Sequence, residues 1–285
     1  MRPGVRAAVT AGSIVLVASL ALAFRSLTAF GVFTEIVPGF AGTCTAVPTA
    51  NGPGDLAIDA PSGLVFVAVR DRRAQAAGHP AKADGLYVFA LKDAAPHPRK
   101  LAGTPSDFHP EGISLYRAPG GALTLMAVNH RGDGAYSIDI FDVTATDGAA
   151  SLRETGSIQG GQLVSPNAVA AVDGTRFYVT NDHTSATHFG RRLDDVFVLP
   201  RANVLYFDGN MFRVVAERLA FPSGAAVSAD GRHLYVAEAY NRRITTFTRN
   251  PFTGELTSVG EVAVPANVDK LRFDAGGALW AGAHP

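Results

Sequence analysis

The sequence predicts an all-β protein, a β-propeller standing behind one N-terminal hydrophobic helix. Three observations carry this. A strand–turn–strand unit recurs five times, at intervals of roughly 45–57 residues. Further strand-like runs lie between the copies. No comparable helical period appears beyond about residue 40.

Residues 1–37 come first. An apolar run of about 18 residues, 7–24, is near the lower limit for crossing a hydrocarbon core at 1.5 Å rise per residue. Arg2 and Arg6 precede it, which favours a cytoplasmic N-terminus with the rest exported, although Arg25 on the far side runs against that asymmetry. Ala21-Leu22-Ala23 reads as a signal-peptidase site, so a cleaved signal stands beside an uncleaved anchor. Apolar character continues through residues 27–33, which favours the anchor. The expectation is a protein on the periplasmic or extracellular side, tethered to the membrane by this helix.

Residues 38–285 form one propeller domain, a size that a single core can support. The first unit runs from 55–59 through Pro61-Ser62-Gly63 to 64–68. The second joins 112–115 to 123–128 through Pro119-Gly120-Gly121, and the third joins 168–172 to 177–179 through Asp173-Gly174. The fourth joins 224–227 to 234–237 through Asp230-Gly231, and the fifth joins 271–273 to 279–282 through Gly276-Gly277. Gly, Pro and Asp between apolar runs are turn chemistry. Residues 85–89, 136–141 and 243–247 supply outer strands, as blades of four strands require. A sandwich or an open solenoid is the competing architecture, but a sandwich lacks a stereotyped motif at such a period. Phe177, Tyr178, Tyr235 and Trp280 lie in the strand patterns and are expected in the core.

Charge narrows the partners. Lys and Arg number 25 and so do Asp and Glu, so no broad field would hold nucleic acid or an anionic membrane. Small molecules or proteins are the expected partners. Cys44 is the only cysteine and has no intramolecular partner in this chain. No Gly-x-Ser-x-Gly elbow, His-Glu-x-x-His or phosphate-binding glycine loop is present. Arg191-Arg192 and Arg242-Arg243 read as solvated loop pairs.

The segments Phe108-His109-Pro110-Glu111-Gly112-Ile113-Ser114, Val128-Asn129-His130, Thr180-Asn181-Asp182-His183, Ser228-Ala229-Asp230-Gly231-Arg232 and Leu234-Tyr235-Val236-Ala237-Glu238 are specific in combination. In order and spacing they resemble the paraoxonase/arylesterase family, from roughly residue 38 to the end. The resemblance implies a six-bladed propeller and calcium-dependent hydrolysis of small aryl esters or lactones, in which the ion polarises the carbonyl and a base activates water. Five unit cores are fewer than six blades, so the sequence is expected to be incomplete at its C-terminus, with the disulfide partner that the resemblance implies for Cys44 in the missing portion.

The resemblance also assigns a tunnel. Its calcium would be held by a glutamate, three asparagines and an aspartate, whereas this chain has Gly54 at the glutamate, Asn167 at the third-repeat asparagine, Ser223 at the fourth-repeat asparagine, and Asp269-Lys270 at the final Asp-Asn pair. Of the second, buried ion's ligands, Asp55 and the carbonyl of Ile113 match, but Ala168 stands at the third-repeat aspartate. His130 matches the second histidine of the catalytic dyad and Glu111 replaces the first; His183 and His284 fall at tunnel histidines. Glu111 admits two readings. It restores a carboxylate as ligand or general base, holding His130 in a base-competent tautomer. Alternatively Glu111 and Asp269 pair with Lys270, whose ammonium would stand in the ion's place in a propeller that binds without catalysing. An ammonium donates hydrogen bonds and accepts none, so Lys270 cannot ligate a cation. His109 has no assigned role, and His79, His97, His188 and His233 read as surface or turn residues.

Overall fold

Successive side chains of a strand point to opposite faces, so an unbroken apolar run makes both faces of a middle strand apolar, and in Leu64–Val69 both are buried. The computed structural model describes residues 3–35, 37, 39–146 and 148–284, without the side chains of residues 3, 5, 7 and 8; Arg2 and Pro285 lie outside the described residues. In β2 (Leu64–Val69), Leu64, Phe66 and Ala68 join Leu86, Ile113, Leu125 and Phe141, while Val65, Val67 and Val69 face the other way. Burying a side chain of this size contributes roughly 1.5–3 kcal/mol.

The strands form a propeller. Four antiparallel sheets of four strands follow the chain: β1 (Pro53–Asp59) to β4 (Arg99–Lys100), β5 (Pro110–Arg117) to β8 (Ala149–Ile158), β9 (Pro166–Ala171) to β12 (Phe212–Leu219), and β13 (Pro222–Val227) to β16 (Leu256–Ala263). A fifth sheet has two strands, β17 (Asn267–Phe273) and β18 (Leu279–His284). Separate apolar clusters fill the gaps between successive sheets, such as Met126, Val128, Ile138, Val169, Phe177 and Val179 between the second and third. The five recurring units are the first two strands of each sheet. Their turns form as read: Asp59 accepts the Ser62 amide at 3.2 Å, and Gly63 takes φ +67°, the left-handed region that favours glycine.

Some local expectations change. Phe177 and Tyr178 are buried, but Trp280 on β18 is 62% exposed and donates its indole N–H to Asp274. Among the described residues no further strand lies outside β18 to cover it. The arginine pairs are not solvated loops either. Arg191 lies in α3 (His188–Phe197) and donates to the Val164 carbonyl at 2.7 Å, and Arg243 on β15 (Arg243–Arg249) donates to the buried carboxylate of Glu238 at 2.7 Å. Each arginine thus satisfies a polar group of the fold, and at Glu238 it supplies the charge that balances a buried carboxylate.

The N-terminal helix α1 (Pro3–Ala29) contains a stretch, Val9–Ala29, long and apolar enough to cross a membrane, and nearly all of that stretch is exposed. Its last turns dock on the propeller. Ser26 donates to the Val196 carbonyl, Asn267 donates to the Ala29 carbonyl, and Phe30 packs edge-on against Tyr240 at 5.5 Å.

Candidate active site

Each inner strand breaks register at the residue the site needs. Pro53 and Asp55 pair with consecutive residues of β2, leaving Gly54 bulged; Glu111 and Gly112 are skipped in β5, Asn167 in β9, Ser223 in β13, and Asp269 and Lys270 in β17. A β-bulge re-aims a side chain out of the ladder. Five of them around one axis therefore gather residues from five sheets. A proline opens each of the first four inner strands, Pro53, Pro110, Pro166 and Pro222, where a missing N–H is tolerated. Two glycines let neighbouring strands approach: a Cβ on Gly112 would come within 2.4 Å of the Asn167 carbonyl oxygen, and one on Gly224 within 1.8 Å of the Asp269 carbonyl oxygen.

The result is a cavity of about 440 Å³ lined by Arg70, Arg72, Glu111, His130, Asn167, Asp182, Ser223, Asp269 and His284. Glu111 is buried and lies 3.0 Å from Arg70 and 3.4 Å from Arg72. Its expected partner Lys270 goes elsewhere. The Lys270 ammonium, also buried, donates to Asn167 Oδ1 and to the Ser223 carbonyl at 2.9 Å, and lies 3.3 Å from Asp269 Oδ1. Burial raises the Asp269 pKa, but Lys270 and His284 outweigh it and hold the carboxyl below its usual range. His284 is mostly exposed, 3.3 Å from Asp269.

His130 sits at the end of β6 (Leu123–His130), edge-on to Tyr136. Its Nε2 lies 2.7 Å from the Pro166 carbonyl oxygen. A carbonyl only accepts, so Nε2 carries the proton and, in the neutral ring, Nδ1 holds the lone pair. The Pro166 carbonyl, not Glu111, fixes the tautomer. Burial first, and then Arg70, push the His130 pKa down to about 4.

His183 does not line this cavity but stands behind Asp182. Its Nδ1 bonds Asp182 and its Nε2 bonds Asp195, each at 2.8 Å; Asp182 also accepts from Asn167 at 2.9 Å and from Ser165 at 2.5 Å. Burial alone would lower the His183 pKa, yet the two carboxylates raise it to about 9. Ala168 is packed into the core between the third and fourth sheets.

Below the ring, a second cation meets the remaining predicted residues. Arg272 Nη2 lies 2.5 Å from Asp55 Oδ2 and 2.6 Å from the Ile113 carbonyl oxygen, and Arg272 Nε donates to the Leu56 carbonyl at 2.7 Å. Burial pushes the Asp55 pKa up, and Arg272 only partly offsets it. Sequence reasoning missed Arg272, Arg70, Arg72 and Asp182 as site residues. For Arg272 the signal was its position two residues after Lys270; for Arg70 and Arg72 no local pattern distinguishes them from surface charge. His109 gains a role as a brace, its Nδ1 2.7 Å from the buried Asp84.

Known proteins resemble this chain over the same region. A family model described as Arylesterase matches residues 53–285. The rat serum paraoxonase/arylesterase 1 is 29% identical over 90% of this chain and 74% of its own length. The human serum paraoxonase/arylesterase 2 is also 29% identical, over 72% of this chain but only 58% of its own length. Among solved structures, a luciferin-regenerating enzyme superposes with a TM-score of 0.51 at 12% identity, covering 82% of this chain and 70% of its own. The periplasmic gluconolactonase of Pseudomonas aeruginosa does so with a TM-score of 0.50 at 13% identity, covering 81% and 65%. At those identities the two structures speak for the propeller fold alone.

Proposed function

The chain belongs to the arylesterase family, and we propose that it hydrolyses small carboxylic esters or lactones in the axial cavity, with His130 as general base. The observation that carries this reading is a neutral histidine of fixed tautomer in a cavity whose arginines can receive developing negative charge. Water gives a proton to His130 Nδ1 as its oxygen bonds to the carbonyl carbon. The charge that develops on the carbonyl oxygen faces the guanidinium of Arg70, the arginine that acts on His130. Collapse breaks the bond to the alkoxy oxygen, and the proton on His130 passes to that leaving group. Glu111 is a positioning residue here, because its carboxylate orients both arginines.

Family membership suggests calcium, and the donor set was tested against it. Calcium takes six to eight oxygens. Gly54 offers no side-chain oxygen, Asn167 Oδ1 and the Ser223 carbonyl already accept from Lys270, and Asp269 faces the same ammonium. At the second position, Asp55 and the Ile113 carbonyl accept from Arg272. Among the described residues no group of three His, Cys, Asp or Glu side chains is placed to hold a metal. The residues do not fit calcium, and Lys270 and Arg272 supply positive charge in its stead. We place the propeller, residues 38–285, on the exported side of a membrane that residues 1–37 anchor, a reading supported by the exposed apolar stretch of α1.

A second reading keeps the same cations without catalysis: a propeller that binds a small molecule, with Lys270 replacing the ion. The hold of Asn167 and Ser223 on the Lys270 ammonium favours it. Phenyl acetate hydrolysis by the full chain in detergent separates the two. Turnover that survives metal chelation and disappears in His130→Gln supports the hydrolase; no turnover above background with or without calcium leaves the binding protein. Turnover that requires added calcium sinks the replacement of the ion.

A further inference from the structure

Charge is unevenly spread around the axial cavity, with the surplus of cations on the side of the first sheet. Lys270 is matched by Asp269, and His183 by Asp182 and Asp195. Arg70 and Arg72 share one carboxylate, Glu111. An adjoining outer cavity, about 650 Å³, is lined by the same two arginines together with Arg73 and His79. Its one acid, Asp71, is engaged in capping the short helix α2 (Arg72–Ala76) through the Ala74 amide. Both guanidiniums keep free donors. Arg70 spends Nε on Gln75 and Nη1 on Glu111, which leaves Nη2 without an acceptor among the described residues. Among the described residues the Arg72 guanidinium makes a single polar contact, 3.4 Å to Glu111, and its side chain is 59% exposed.

Gly54 belongs to the same arrangement. A Cβ there would lie 3.7 Å from Arg72 Nη2, so the Arg72 guanidinium rests beside this bulge of the first inner strand. The field reaches the base as well: Arg70 helps to lower the His130 pKa, and Arg72 acts in the same direction on His284.

Resting on the hydrolase reading, we propose that the preferred substrates are esters or lactones that carry a carboxylate, held by Arg72 where the axial and outer cavities meet, while Arg70 stays with the carbonyl oxygen. A planar guanidinium with paired N–H donors matches a carboxylate in shape and charge. The neutral remainder of the ester then lies toward His130. Arg72 is the specificity-determining residue, since it is the arginine with most unused donors and lines both cavities.

The test compares 4-acetoxybenzoate with its neutral isostere 4-acetoxybenzamide, using the full chain in detergent. At low salt kcat/KM should favour the carboxylate by about tenfold, shrinking as salt screens the charge. In Arg72→Gln the two esters should differ by less than about threefold, whereas Arg192→Gln, which removes a charge from exposed α3, should keep the preference. Equal turnover of both esters at all salt concentrations overturns the inference and leaves the hydrolase intact. If neither ester is cleaved, calorimetry with 4-hydroxybenzoate decides. Binding to the wild type that is lost in Arg72→Gln preserves the anion site while the hydrolase reading falls, and no binding overturns the site too.

Discussion

His130 ends the second strand of the second sheet, His183 follows the second strand of the third by two residues, and the two are kept in opposite charge states. The asparagine before each does the same work. Asn129 accepts from the His109 amide and donates to the Asp107 carbonyl, while Asn181 accepts from the Val164 and Ser165 amides and donates to the Gln162 carbonyl. Each thus staples the loop that leads into its own sheet's inner strand. The histidines then diverge. His130 follows its asparagine directly and meets burial and Arg70, which outweigh Glu111 and the Pro166 carbonyl, so it stays neutral. In the third sheet Asp182 intervenes, α3 adds Asp195, and His183 becomes an imidazolium between two carboxylates. One motif thus yields a base and a clamp, and the neighbours decide which.

The largest effect should come from removing the base. His130→Gln is expected to lower kcat/KM for phenyl acetate by about 10²–10⁴-fold, with the urea midpoint close to that of the wild type. His183→Gln should break the comparison the other way, costing about 3 kcal/mol of stability in urea unfolding at pH 7, because two carboxylates lose the cation between them. A loss of activity without a loss of stability in His183→Gln would show that the clamp reading is wrong.

Stability against pH sharpens the contrast through its sign. The His183 pKa is raised in the folded state, so its contribution is full below the ordinary value near 6.5 and is lost as pH rises through about 9. The His130 pKa is depressed, so its contribution is full above about 6.5 and is lost as pH falls toward about 4. Melting temperature followed across pH should therefore lose its alkaline decline in His183→Gln and part of its acid decline in His130→Gln. The smallest effect belongs to Tyr240→Phe. Its hydroxyl donates to Asp195 at 2.8 Å, and losing that bond should cost about 1 kcal/mol in urea unfolding.

Much of this was legible in the sequence. The propeller follows from recurring units whose Asp, Gly and Pro turns act locally, and Gly54, Glu111, Asn167, Ser223, Asp269 and Lys270 all proved to be bulge residues facing one axis. What escaped were pairings set by tertiary approach. Nothing near Glu111 announces Arg70 and Arg72, which arrive from the residue after β2 and the start of α2. Nothing near Asp55 announces Arg272, which reaches across from the fifth sheet. Those arginines, rather than Lys270, answer the question of where Glu111 and Asp55 find their charge.

The most direct measurement is an NMR titration of the histidine ring protons in the full chain, assigned with His130→Gln and His183→Gln. His130 should titrate near pH 4 and His183 near pH 9, without change on adding a chelator. Two midpoints together near 6.5, or a His130 midpoint that moves when calcium is removed, would contradict a site built on the protein's own cations.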